Sequence, residues 1–123
     1  MIAVDTNIIN KILRGENMET PDEVLYVPFA VIAEIRSGVL SGNNPPKYKQ
    51  VVQEFFDGED VILSSGLLPE VIDNYSEIYA YLKKTGRPIS PNDLWIAAEC
   101  MNLSLSLLTH DKDFDHVPQI LKA

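Results

Sequence analysis

Five acids in this chain stand where carboxylates can do chemistry. Asp5 closes the apolar run Ile2-Ala3-Val4, and Asp111 follows another apolar run, Leu103 to Thr109, with Asp113 close behind it. Glu34 lies in the stretch after Val24-Leu25-Tyr26-Val27, and Asp93 opens the stretch that precedes Leu103. Carboxylates gathered at one place repel unless a proton or a cation stands between them. No His and Cys set has zinc spacing, and hard oxygen ligands favour Mg²⁺ or Mn²⁺. Mg²⁺ keeps several waters and meets its substrate through phosphate oxygens. Each acid also has a plainer role. Asp5 can cap the helix that follows it, and Ser90-x-x-Asp93 is a variant of the capping box. Glu34 can be a solvated helix edge, and the aspartates of 111–115 can be turn residues. Taken singly each signal is weak; the joint arrangement is what points to a metal site.

The elements that must position these acids follow from hydrophobic spacing. Short apolar runs bounded by polar residues read as buried strands, here Ile2–Val4, Val24–Val27, Val61–Leu63 and Leu103–Thr109. Ile8, Ile9, Ile12 and Leu13 have helical spacing, with Thr6 or Asn7 as the cap and Gly15 as the stop. Pro28 fits the first turn of a helix carrying Phe29, Ile32, Ala33 and Ile35 and ending at Gly38. Tyr48, Val51, Val52, Phe55 and Phe56 mark a helix stopped by Gly58; Pro69 opens a longer one that ends at Gly86. Ser90 and Pro91 start the helix whose buried stripe is Leu94, Ala97, Ala98 and Met101. Residues 16–23 read as a polar surface loop, and Ser41-Gly42-Asn43-Asn44-Pro45-Pro46 is the strongest breaker. Alternating strands and helices imply right-handed crossovers and a mostly parallel sheet. With the first and fourth strands adjacent, Asp5 and Asp111 lie side by side at the carboxyl edge, where open α/β sheets collect ligands. Asp93 then comes back to the same edge on its helix.

At 123 residues the chain is one domain, 1–123, with enough length for a real core. The net charge of −8 argues against a passive nucleic-acid-binding module, which needs the opposite sign. It leaves room for a metal-dependent nuclease, in which carboxylates hold cations that face the phosphates. The single cysteine, Cys100, lies among apolar residues with no His or basic neighbour, so it reads as a buried structural thiol. No apolar run approaches the ~20 residues of a membrane helix, and no secretory signal opens the chain. The expectation is a soluble, cytoplasmic protein.

Five short motifs in order resemble one family. Val4-Asp5-Thr6-Asn7, Ala33-Glu34-Ile35-Arg36-Ser37-Gly38, Gly86-Arg87-Pro88-Ile89, Asp93-Leu94-Trp95-Ile96-Ala97-Ala98 and Leu108-Thr109-x-Asp111-x-Asp113-Phe114 look like the PIN domain in its VapC toxin branch. The resemblance covers essentially the whole chain. It implies a three-layer α/β/α sandwich with a central, mostly parallel sheet. It also implies a Mg²⁺- or Mn²⁺-dependent endoribonuclease that cuts structured RNA, tRNA or rRNA, to stop translation. A homodimer and a cognate antitoxin with a DNA-binding domain follow from the same likeness. Carried over by position, Asp5, Glu34, Asp93 and Asp111 form the catalytic, metal-binding quartet. Thr6 and Asn7 support it, and Asp113 replaces or assists Asp111. Metal-activated water would attack in line and leave a 5′-phosphate, with Asp111 the candidate to take its proton. Arg36, Lys83, Lys84, Arg87 and Lys112 are the candidate phosphate contacts, and Trp95 reads as core. One departure stands out: Val27-Pro28-Phe29-Ala30 supplies no hydroxyl to cap the helix bearing Glu34.

Two other folds with an acid after a strand fail on single positions. A haloacid-dehalogenase-type phosphatase needs a second acid where this chain has Asn7. A receiver domain needs an aspartate closing the third strand, where Ser64-Ser65 stands. The remaining alternatives share the fold: an RNA-processing nuclease outside any toxin–antitoxin pair, or a binding module with weak or lost activity.

Overall fold

The computed structural model describes residues 1–16 and 22–123; most of the polar loop expected at 16–23 lies outside them. Among the described residues, four short apolar runs form the strands of one sheet: β1 (Ile2–Val4), β2 (Leu25–Val27), β3 (Val61–Leu63) and β4 (Leu107–Leu108). All pair in parallel, in the order β3-β2-β1-β4. Five α-helices flank them: α1 (Thr6–Leu13), α2 (Phe29–Ser41), α3 (Tyr48–Phe56), α4 (Pro69–Thr85) and α5 (Pro91–Leu103). A 3-10 turn follows at Lys112–His116. The order of strands confirms that β1 and β4 are neighbours. The chain runs outward through β2 and β3, then returns to the far side of β1, so the β1–β4 crevice is the topological switch point.

The core is built from the strands and the inward stripes of the helices. Val4, Ile8, Ile9, Val27, Val31, Val71, Ile78, Leu82, Ile96, Leu107 and Phe114 are among its fully buried members. Partly buried Trp95 packs against it, its ring 4.1 Å from the Tyr75 ring and 5.8 Å from that of Phe29. Cys100 is buried, and burial pushes its thiol up to about 12, which removes it as a nucleophile at neutral pH. The C-terminal residues cover the exposed edge of β4: Leu107 N–H donates to Leu121 O and Ala123 N–H to Leu107 O. No helix among the described residues is long and apolar enough to cross a membrane.

Several boundaries differ from the expectation. Helix α2 runs past Gly38 to Ser41. A mid-helix glycine costs only about 1 kcal/mol, and the carbonyl of Gly38 accepts from Gly42 N–H and from the Asn44 side chain. The stop is therefore the Gly42–Pro46 cluster. Pro28 precedes this helix as its cap residue instead of sitting in its first turn, and Ala33 is exposed. Leu103 ends α5 and does not begin β4. Ser104 adopts a left-handed conformation (φ +54°) that closes the helix, which leaves only Leu107–Leu108 as strand. Met101 is half-buried, while Ile96, Glu99 and Cys100 are buried with Leu94, Ala97 and Ala98, so α5 is covered nearly all round.

Candidate active site

The β1–β4 register decides where the acids meet. Val4 pairs with Leu108, so the next residues, Asp5 and Thr109, stand level at the carboxyl edge. Asp5 is only 4% exposed, and its carboxylate is held on both oxygens. Oδ1 accepts from Ile8 N–H at 3.0 Å, and Oδ2 accepts from the Thr109 hydroxyl. Thr109 Oγ1 in turn accepts from Asp111 N–H at 3.0 Å. One hydroxyl thus ties the acid after β1 to the backbone of the acid after β4.

This arrangement corrects the roles expected in the first motif. Asp5 itself caps α1, and Thr6 is the first helical residue. The Thr6 hydroxyl is buried without a hydrogen-bond partner, and Asn7 is exposed beside the cleft of Lys11 and His110. Neither is seen holding the acids. That work falls to Thr109, which the sequence placed at a strand end without any task. Its signal was its register opposite Asp5. Thr109→Val keeps the shape but removes the bridge, leaving a buried carboxylate oxygen and an N–H unpaired. Urea unfolding should show a loss of about 1–3 kcal/mol; an unchanged midpoint would rule out the bridge as structural.

Asp93, Asp111 and Asp113 converge. One carboxylate oxygen from each lies within 4.8 Å of the others. Asp93 is placed by the start of α5, where Ser90 Oγ accepts from Asp93 N–H at 3.2 Å. The capping reading of Ser90-x-x-Asp93 is therefore correct, and it serves the cluster because it holds Asp93 in the first helical turn. Asp111 opens the 3-10 turn, its Oδ1 accepting from Asp113 N–H at 2.9 Å. Burial raises the Asp93 carboxyl from 3.8 to about 6; a hydrogen bond with Ser90 opposes the shift, and repulsion from Asp111, Glu34 and Asp113 adds to it. Half-buried Glu34 is thus close enough to Asp93 for its charge to be felt. Asp115 instead turns to Lys122, which holds its carboxyl below the usual range.

The missing hydroxyl at the start of α2 is replaced from a distance. Glu99 is 3% exposed, and its Oε1 accepts from Phe29 N–H at 2.9 Å. Its Oε2 accepts from the Tyr26 hydroxyl. Burial and this bond push the Tyr26 phenol up to about 12, so it stays a donor across the working pH range. Glu99 thereby caps α2 from α5 and ties the helix of Glu34 to the helix of Asp93. A lone acid amid Ala97-Ala98-Glu99-Cys100 was the available signal, since an acid so enclosed needs partners.

The expected phosphate contacts are spread out. The Arg36 guanidinium stacks over Phe56 at 5.7 Å, and Lys83 borders a pocket with Tyr79, Pro88 and Ile89. Arg87 Nη1 lies 3.2 Å from His116 Nδ1, and Lys84 is exposed near the end of α4. Lys112 shares a cleft with Asp111.

The donor set suits a hard divalent cation. The three carboxylate oxygens lie within 4.8 Å of one another, near enough for one small cation to touch them all. A parallel α/β sheet with three carboxylates converging beside its switch point defines a class: a domain whose acidic cluster could hold a metal ion. The PIN domain family matches residues 2–120, and the chain belongs to that family. Toxin FitB of Neisseria gonorrhoeae is 32% identical over 123 residues, spanning 90% of this chain and 88% of that protein. Ribonuclease VapC1 of Haemophilus influenzae strain R2866 is 26% identical over 126 residues, spanning 95% and 92%. Among solved structures, VapBC-1 from nontypeable Haemophilus influenzae superposes with a TM-score of 0.83 at 27% identity, covering all of this chain and 97% of that one. VapBC2 from Rickettsia felis, at 20% identity and a TM-score of 0.84, shares the fold over 100% and 98% of the two chains.

Proposed function

We propose that this chain is a Mg²⁺- or Mn²⁺-dependent endoribonuclease, the toxin of a toxin–antitoxin pair, that cuts structured RNA such as tRNA or rRNA and so halts translation in the cytoplasm. The observation that carries this reading is the convergence of Asp93, Asp111 and Asp113 beside the β1–β4 crevice of a PIN domain. Relatives named as a ribonuclease and a toxin support the class of reaction, and structures titled as VapBC and FitAcB complexes support an antitoxin partner. The exposed apolar residues Leu67, Leu68, Ile72 and Tyr79, on α4 and just before it, offer surface for a homodimer.

Asp93, Asp111 and Asp113 would hold the metal, with Asp5 contributing lone pairs not used by Ile8 and Thr109. A bound Mg²⁺ or Mn²⁺ supplies polarisation of a phosphate oxygen and an acidified water. Thr109 and the N-terminus of α5 hold Asp5 and Asp93 in place. Glu34, whose charge reaches Asp93 but which is not one of the three converging acids, would be free to take a proton from water. The products would carry a 5′-phosphate and a 3′-hydroxyl.

Two measurements test this together. The purified chain should cleave labelled RNA with Mn²⁺ and stop in EDTA; cleavage undiminished by EDTA defeats the metal mechanism. Saturation to about a hundred times Kd should stabilise the protein by about 2.7 kcal/mol, because the assembled acids exist only in the folded state. Asp111→Asn should remove most of that rise. Cleavage without growth arrest on expression would instead identify an RNA-processing nuclease.

A further inference from the structure

The cations that matter to this acidic protein lie on a stripe of α1. Asn7, Asn10, Lys11 and Arg14 recur at i, i+3, i+4 and i+7, so they share one helix face, opposite the buried Ile8 and Ile9. That face and the turn after β4 enclose a polar cleft of ≈ 380 Å³, lined also by His110, Asp111 and Lys112. The Lys11 ammonium stands 2.8 Å from His110 Nδ1. The ammonium can only donate, so in this contact Nδ1 is the acceptor. Arg14 Nε meets Glu16 at 2.9 Å in an exposed pair that costs little to rearrange. In a chain with ten Lys and Arg against eighteen acids, this cleft gathers Lys11, Arg14 and Lys112 around a boundary shared with Asp111.

We infer that this cleft is a subsite for the RNA backbone, taking a phosphate that flanks the one at Asp93, Asp111 and Asp113. The inference rests on the endoribonuclease reading. Phosphate contacts position a nucleic acid and carry most of its affinity. In a protein of net charge −8 they must come from a local concentration of donors, since the overall field repels RNA. Lys11 bonded to His110 is held at the cleft wall, and Asp111 places the cleft directly beside the converging carboxylates. A neighbouring phosphate bound here would fix the register of the strand across the metal site, the form of catalysis that positioning supplies.

The test is RNA binding to the whole chain without turnover. Fluorescence anisotropy of a short single-stranded RNA in EDTA, over a salt series, is compared for Lys11→Ala/Lys112→Ala and Lys47→Ala/Lys49→Ala. Both doubles remove two charges from solvent-accessible positions, and thermal melts confirm that each folds. The cleft variant should bind about tenfold more weakly and flatten the salt dependence by ~1.4, at ~0.7 for each phosphate charge it no longer neutralises; the control should change far less. Equal weakening by both, or no weakening by the cleft pair, overturns the subsite. Cleavage by the unsubstituted protein in Mn²⁺ is followed in parallel. Selective loss of binding with no cleavage by the unsubstituted protein keeps the subsite and defeats the nuclease reading.

Discussion

Replacing Asp93 with Asn should abolish RNA cleavage while making the metal-free protein more stable. Both effects follow from one geometry. Asp93 shares its site with Asp111 and Asp113 within 4.8 Å, and its folded-state pKa is raised from 3.8 to about 6. A carboxyl raised on folding binds its proton more tightly in the native state. Its contribution to stability is fully present below pH ~3.8 and is lost as pH rises through ~6. Above that the ionised group strains the fold, and the neutral amide removes the strain. The full shift corresponds to about 3 kcal/mol at 1.36 per unit, and solvent screening of a half-exposed group reduces this to about 1–2. Melting of the metal-free variant at pH 7 should therefore rise by roughly 4–8 °C. At pH 4 the two proteins should melt nearly together. Cleavage should fall about 10³-fold, because a ligand is lost where charge must be held in the transition state, and growth arrest on expression should disappear. A lower metal-free melting temperature at pH 7, or cleavage within tenfold of the original, contradicts the proposed site. The same relief is not expected of Asp5→Asn. Both Asp5 oxygens accept hydrogen bonds, so the amide would take away the acceptor of the Thr109 hydroxyl proton and lower stability.

Glu99→Ala should be the most destabilising single change outside the apolar core. It strips the partner from Phe29 N–H and from the Tyr26 hydroxyl in a buried place. Two unpaired donors cost about 3 kcal/mol together, roughly 10 °C in melting temperature for a domain of this size. Glu99→Gln separates capping from general packing. Its carbonyl oxygen still accepts from Phe29, and the Tyr26 hydroxyl can turn to accept from the amide, so the loss should shrink to about 1 kcal/mol. Because the bond ties α2 to α5, the alanine variant should also lose 10–100-fold in cleavage at a temperature where it remains folded. An alanine variant as stable as the glutamine one, or as active as the original, would show that Glu99 neither caps nor positions.

Much of this was legible in the residues. The acids after β1 and after β4, the breaker cluster at 41–46 and the stop at Gly86 are local signals, since a buried strand, a fixed φ or a left-handed cap leaves its mark within a few residues. Helix ends were less legible. Gly38 looked like a terminus because propensity is local, yet the carbonyl it exposes is bonded from Gly42 and Asn44. Likewise Leu103 looked like strand until Ser104 closed the helix.

The order of amino acids alone dictates the class of fold and the arrival of Asp5 and the Asp111 turn at one sheet edge, because alternating periods require a parallel sheet and strand ends decide where polar groups emerge. The partnerships came from the packed molecule instead. Thr109 meets Asp5 across 104 residues and Glu99 meets Phe29 across 70, pairings that no spacing rule encodes. The strand order likewise brought Asp111 and Asp113 to Asp93, and set Lys11 against His110 across 99 residues. Hydrogen bonds of this kind depend on the angle between elements, and that angle is set by packing of the whole core.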